Sequence, residues 1–144
     1  MIKRVNGIKG LWRGDRPTFE NLQQYKKNGI TVVYNLENDD EAVEQERKWC
    51  EELGLKFYHF PLSGLWAPEK KNLKYIVAAL YLLLAAGYVV FLHCLHGVDR
   101  TGIVVARCQV SLYDWTVDKA WREFFKEGHH RAMWFVGWNK SLLT

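Results

Sequence analysis

Apolar positions along this chain alternate between short continuous runs and a three-to-four-residue spacing, punctuated by glycine, asparagine, aspartate and proline. Strands and helices are therefore expected in turn. Val5 to Ile8 and Leu11 to Arg13 read as two short strands separated by Gly10, before a turn at Gly14-Asp15-Arg16-Pro17. Thr18 suits the N-cap of a helix on which Phe19, Leu22 and Tyr25 share a face, and Asn28-Gly29 stops it. Ile30 to Leu36 is too continuously apolar for an exposed strand and reads as a central one, buried on both faces. Asn38-Asp39-Asp40 caps a charged helix from Glu41 to about Leu53, with Ala42, Val43, Trp49 and Leu53 inward; Gly54 ends it before a strand from Leu55 to Phe60. A loop from Pro61 to Pro68 leads into a long helix, Glu69 to Ala86, then a strand at 88–92 and a helix at 100–112. Thr116 or Asp114 caps a further helix through Glu127, and an aromatic helical stretch runs from Met133 to Leu143. The alternation predicts an α/β fold: a single three-layer domain over residues 1–144, with a mostly parallel central sheet of about four or five strands flanked by helices.

Tyr75 to Leu92 carries no charge, and at about 18 residues it reaches the lower limit for a membrane span. Gly87 divides it into a helix-like half and a Tyr-Val-Val-Phe-Leu half rich in strand formers, so a buried helix-turn-strand unit is expected and no membrane. Hydrophobic residues make up 49% of the chain, which argues for a packed core. The net charge of +4 favours acidic substrates but is too small to imply stable nucleic-acid binding. Cys50, Cys94 and Cys108 are odd in number and widely spaced, and fit neither a disulfide framework nor a zinc spacing. With no signal-peptide pattern at Met1 to Gly7, the expectation is a cytoplasmic protein. Nothing in the pattern sets an oligomeric state.

The chemistry concentrates between the strand at 88–92 and the helix at 100–112, in His93-Cys94-Leu95-His96-Gly97-Val98-Asp99-Arg100-Thr101-Gly102. A Gly-containing loop that opens a helix turns backbone N–H groups inward and adds the helix's positive end, while an arginine supplies a bidentate fork. Such a loop holds a tetrahedral oxyanion. Cys94 is the expected nucleophile, its thiolate stabilised by the cradle, and Arg100 is expected to hold two equatorial oxygens of a phosphoryl group. The N–H groups of Leu95, His96, Gly97, Val98 and Asp99 would complete the cradle with that of Arg100. Thr101 could give its hydroxyl to the cysteine sulfur, and Gly102 lets the helix begin close to the strand. His93 is placed either to orient the loop or to exchange protons, and His96 either to touch substrate or to sit in solvent. Cys50 and Cys108 fall on helices and are expected in the core. The turn Trp12-Arg13-Gly14-Asp15-Arg16-Pro17 either buttresses the loop or is a plain charged turn.

His-Cys-x5-Arg-Thr-Gly resembles the signature of the cysteine-dependent protein tyrosine phosphatase superfamily. The chain from about residue 5 to 140 looks like its small dual-specificity branch, with Leu-Trp-Arg-Gly-Asp-Arg-Pro, Gly-Ile-Thr-Val-Val-Tyr-Asn-Leu and Gly-Leu-Lys-Phe-Tyr-His-Phe-Pro-Leu in order before the signature. The resemblance implies catalysis without metal or other cofactor and hydrolysis of a phosphorylated protein or small phosphomonoester through a phosphocysteine. It also implies a general acid, usually an aspartate on an upstream loop, yet residues 61–68 hold neither Asp nor Glu. Asp99, which matches the place where myotubularin-like enzymes are thought to carry their acid, is the first candidate, then Glu69, then no dedicated acid. Val98 stands where phosphoinositide-directed relatives often carry lysine. The Cys-x-His-Gly opening is shared with RNA 5′-triphosphatases, which keeps RNA phosphates as an alternative beside a phosphate-binding module without turnover. His129, His130, Arg131, Trp134, Phe135 and Trp138 either line one pocket wall or form core with a basic corner.

Overall fold

The computed structural model describes residues 2–144; the side chains of Arg131, Ala132 and Trp134 lie outside the described residues. Five strands, β1 (Ile2–Arg4), β2 (Leu11–Gly14), β3 (Val32–Asn35), β4 (Lys56–His59) and β5 (Val90–His93), form one sheet in the order β1-β2-β5-β3-β4. Only the β1–β2 pair is antiparallel. Five α-helices connect and cover them: α1 (Phe19–Lys27), α2 (Asp40–Leu53), α3 (Lys70–Ala85), α4 (Asp99–Leu112) and α5 (Val117–Lys126). Two short 3-10 helices, Arg131–Val136 and Lys140–Leu143, close the chain.

Alternation along the strands sorts the side chains into two cores. Val32, Tyr34, Val90 and Leu92 face one side, where they pack with Leu73, Ile76 and Leu80 of α3 and with Ile103 and Val104 of α4. Val33 and Phe91 face the other, against Leu22 and Tyr25 of α1 and Cys50 of α2. Each fully buried Leu, Ile or Phe contributes about 1.5–3 kcal/mol relative to exposure, so both helical layers are held by the sheet's central strands. On the second face, continuing the same alternation past Val33 and Phe91, come Asn35 and His93, side by side in the β3–β5 register. The strand pattern thereby delivers two polar side chains beneath α2.

The sequence places the first strand too late. Val5 to Gly10 is the turn of the β1–β2 hairpin, closed by the Val5 N–H donating to the Leu11 carbonyl at 2.9 Å, with Gly7 and Gly10 in left-handed conformations. Val5 and Ile8 are buried nonetheless, which is why their spacing imitates a strand. The strand expected at 88–92 begins at Val90, and the terminal helix resolves into the two 3-10 turns, separated at Gly137 with φ +96°. Among the described residues no helix is long and apolar enough to cross a membrane; the uncharged stretch after Tyr75 is α3, a turn at Gly87 and β5.

Candidate active site

Cys94 follows the last residue of β5, and the loop from Leu95 to Val98 carries the chain into α4. Three groups pull loop carbonyls outward. The His93 Nδ1 lies 3.2 Å from the Cys94 carbonyl, the Arg16 N–H donates to the Leu95 carbonyl at 3.1 Å, and Arg13 Nη2 donates to the Gly97 carbonyl at 3.0 Å. In a trans peptide the carbonyl of one residue and the N–H of the next point opposite ways. The N–H groups of Leu95, His96 and Val98 are therefore turned inward, at the uncapped start of α4, where the helix dipole adds its positive end. That concavity fits an oxyanion.

Two glycines are required by close approach. Gly97 has φ +73°, and a Cβ there would sit 2.6 Å from the backbone of Gly14. At Gly102 a Cβ would meet the Phe124 ring at 2.6 Å, so α4 can rest on α5 only without a side chain at that point. Arg100 is buried beside the loop, with Nη1 donating to Asn38 Oδ1 at 3.2 Å and to the Leu62 carbonyl at 3.3 Å. Gly64 lies over its guanidinium, close enough that a Cβ at this position would stand 3.6 Å from Cζ. The loop at 61–68 thus covers the arginine. It is itself strapped from behind: the Ala67 N–H donates to the Val136 carbonyl at 3.0 Å, and Trp138 Nε1 donates to the Leu65 carbonyl at 2.7 Å.

Beneath Cys94 lies a buried ionic network. His93 Nε2 is 2.6 Å from Glu46 Oε2, which also accepts from Asn35 Nδ2 at 3.0 Å. Both imidazole nitrogens of His93 face oxygens, Nδ1 the Cys94 carbonyl and Nε2 the Glu46 carboxylate. Glu37 stands 3.7 Å from His93 Nδ1 and is forked by Arg16, whose Nε donates at 2.9 and 3.2 Å; this hydrogen bond raises the arginine's pKa. Glu37, Glu46 and His93 bring one potential metal-ligand atom each within 4.8 Å of one another. Arg16 already neutralises Glu37, and His93 faces Glu46, so the three groups fit an ion-pair cluster better than a cation site. Arg13, also buried, has its pKa lowered by desolvation against the opposing pull of Glu127 and Cys94.

A family model described as "Tc-R-P: Polymorphic toxin system, DSP-PTPase phosphatase" matches residues 7–112, well over half of the chain. The chain belongs to this family. Its fold is that of solved cysteine-dependent phosphatases. Tk-PTP in its active form superposes with a TM-score of 0.74 at 20% identity, covering 88% of this chain and 87% of that one. The catalytic domain of the S. cerevisiae PP-IP phosphatase SIW14, in complex with citrate, gives 0.73 at 20% identity over 95% and 83%. A variant of P. aeruginosa TpbA in complex with pTyr gives 0.63 at 20% identity over 85% and 69%. No curated protein sequence matches.

Within this phosphatase Asp99, the first candidate for the general acid, is engaged by two histidines. His129 Nδ1 approaches its Oδ1 at 2.6 Å, His130 Nδ1 its Oδ2 at 2.7 Å, and the His130 N–H donates to Oδ1 at 3.2 Å. Partial burial pushes the carboxyl up, but the hydrogen bonds from the two histidines outweigh it and hold the pKa at about 2. Glu69 is the exposed N-cap of α3, with no side-chain capping bond. Thr101 Oγ1 is buried without a hydrogen-bond partner among the described residues, so the expected bond to the Cys94 sulfur is not made. His96 is exposed, whereas His93 is buried in the network. Cys50 and Cys108 are core residues, their thiols pushed to about 12 by burial.

Sequence reading missed Glu46, Glu37, Asn38 and the pairing of Asp99 with the histidines. One signal for Glu46 was present. It falls between Val43 and Cys50 on the buried stripe of α2, where a carboxylate needs a partner. His129 and Trp138 are buried and pack with the core: the His129 ring stacks on Phe124 at 4.0 Å and lies 5.6 Å from Trp138.

Proposed function

We propose that the chain hydrolyses phosphomonoesters, phosphotyrosine foremost, through a phosphocysteine on Cys94. The observation that carries this reading is the set of three outward-held loop carbonyls, which turn amide donors toward a buried arginine and cysteine. In the first step the Cys94 thiolate attacks phosphorus while the loop amides and Arg100 stabilise charge on the equatorial oxygens. In the second, water attacks phosphorus and the thiolate leaves as the P–S bond breaks. No step calls on a metal.

The rim favours an aryl ester over a polyphosphorylated ring. Leu65 and Trp66, on the loop that covers Arg100, are 50% and 63% exposed, and Phe135, beside the Val136 that straps this loop, is 66% exposed. Val98 adds no cation. An aromatic leaving group with apolar neighbours, as in a phosphotyrosyl peptide, suits this edge. The TpbA variant, similar in fold and bound to pTyr, points the same way. The three buried free cysteines suit a reducing compartment.

The test is rapid quench with labelled aryl phosphate in the absence of added metal. A phosphoenzyme that survives denaturing alkaline quench, that vanadate suppresses, and that Cys94→Ser and Arg100→Ala abolish, is the expected result. Tight phosphate binding with no phosphoenzyme would instead establish the second reading, a binding module. That reading draws on the missing carboxylate at 61–68 and on the Leu62 and Asn38 acceptors that engage Arg100.

A further inference from the structure

The segment after α5 turns sharply at Gly128, with φ +110°, and leans on the phosphate loop: a Cβ at Gly128 would lie 3.6 Å from Val98 Cγ1. The next two residues close on Asp99, the first residue of α4 and the neighbour of Arg100. His129 is buried and stacked on Phe124, so it pins one carboxylate oxygen from within. His130 pins the other through Nδ1 at 2.7 Å but leaves its side chain 64% exposed. The two nitrogens of an imidazole lie on opposite sides of the ring, so fixing Nδ1 on the carboxylate directs Nε2 away from it, toward the open side. An exposed imidazole is therefore oriented by Asp99, the residue that precedes Arg100, in a chain whose loop at 61–68 carries no carboxylate.

Resting on the phosphatase reading above, we infer that His130, oriented by Asp99, donates the proton that the leaving ester oxygen takes up. In the first step the Cys94 sulfur forms the P–S bond as the ester P–O bond breaks. The electron pair of that bond goes to the leaving oxygen, which receives the Nε2 proton of the His130 imidazolium and departs as an alcohol or phenol. In the second step the neutral imidazole takes a proton from the attacking water as the P–O bond forms. The P–S pair returns to Cys94, and His130 is recharged. Asp99 is then a positioning residue and His129 its anchor. The titratable groups facing His130 are Asp99 of α4 and the adjacent His129; Glu127, at the C-cap of α5, is paired with Lys3 across the hairpin, and the Arg131 side chain lies outside the described residues.

The experiment is the dependence of single-turnover phosphoenzyme formation on leaving-group acidity, in wild type and in His130→Gln. Because the side chain is largely exposed, the variant is expected to fold, checked by an unchanged thermal midpoint. The inference predicts a loss of about 10²-fold or more on phenyl phosphate, a several-fold smaller loss on an activated nitrophenyl ester, and disappearance of the alkaline limb of the rate profile. Asp99→Asn should steepen the leaving-group dependence in the same sense. Equal losses on both esters in His130→Gln, or an unchanged alkaline limb, would overturn the inference while leaving the phosphatase reading intact. A wild-type protein that forms no phosphoenzyme from any ester would overturn both.

Discussion

Gly97 shows how one residue type can decide a site. A side chain there would need both a left-handed backbone, costing about 1–2 kcal/mol, and space now filled by the Gly14 backbone at 2.6 Å. Gly97→Ala is therefore expected to displace the loop, with kcat/KM on an aryl phosphate falling far more than the thermal midpoint. Glu46 makes the complementary case. Glu46→Ala would leave His93 and Asn35 buried without their shared acceptor, and breaking a buried pair this way costs about 3–5 kcal/mol; urea unfolding of the variant measures it. Cys94 and Arg100 stood out as candidates because their spacing alone carries meaning. Glu46 did not, because a glutamate in a charged helix ordinarily faces water and only the strand register puts His93 beneath it.

At the scale of elements, the loop at 61–68 owes its place to the end of the chain. Trp138→Phe keeps an aromatic ring, smaller than the buried indole, and removes the donor to the Leu65 carbonyl, a hydrogen bond worth about 0.5–1.5 kcal/mol. Hydrogen exchange at the Ala67 amide, which bonds the neighbouring Val136 carbonyl, should accelerate while the amides of β5 keep their protection. Uniform acceleration across the sheet would show that the strap is part of the global fold instead. Periodicity found α1 to α5 and β2 to β5 to within a few residues because each buries a stripe or a face. It misplaced β1, where buried Val5 and Ile8 sit in a turn, and the C-terminal stretch, where aromatics pack in 3-10 turns without a helical period.

Across the whole molecule, the Asp99 cluster links acid stability to the site. Its pKa is lowered from 3.8 to about 2, so the unfolded chain binds the proton first. The stabilisation is whole above the ordinary carboxyl value and is lost as pH falls through that window toward about 2. The urea midpoint of Asp99→Asn should therefore lie below that of wild type at higher pH, and the gap should close as the medium is acidified. A gap independent of pH would mean that the carboxylate's charge contributes nothing.

The alternation that puts His93 under α2 also limits what can be moved. Residues 93–102 transplanted into another α/β scaffold would arrive without Arg13 and Arg16 from the β2 region and without Glu46 from α2. Two of the loop's three outward carbonyls would then have no donors, and His93, which serves the third, would have lost Glu46. The short signature is an address on this sheet, and a protein engineer would have to carry the neighbourhood with it.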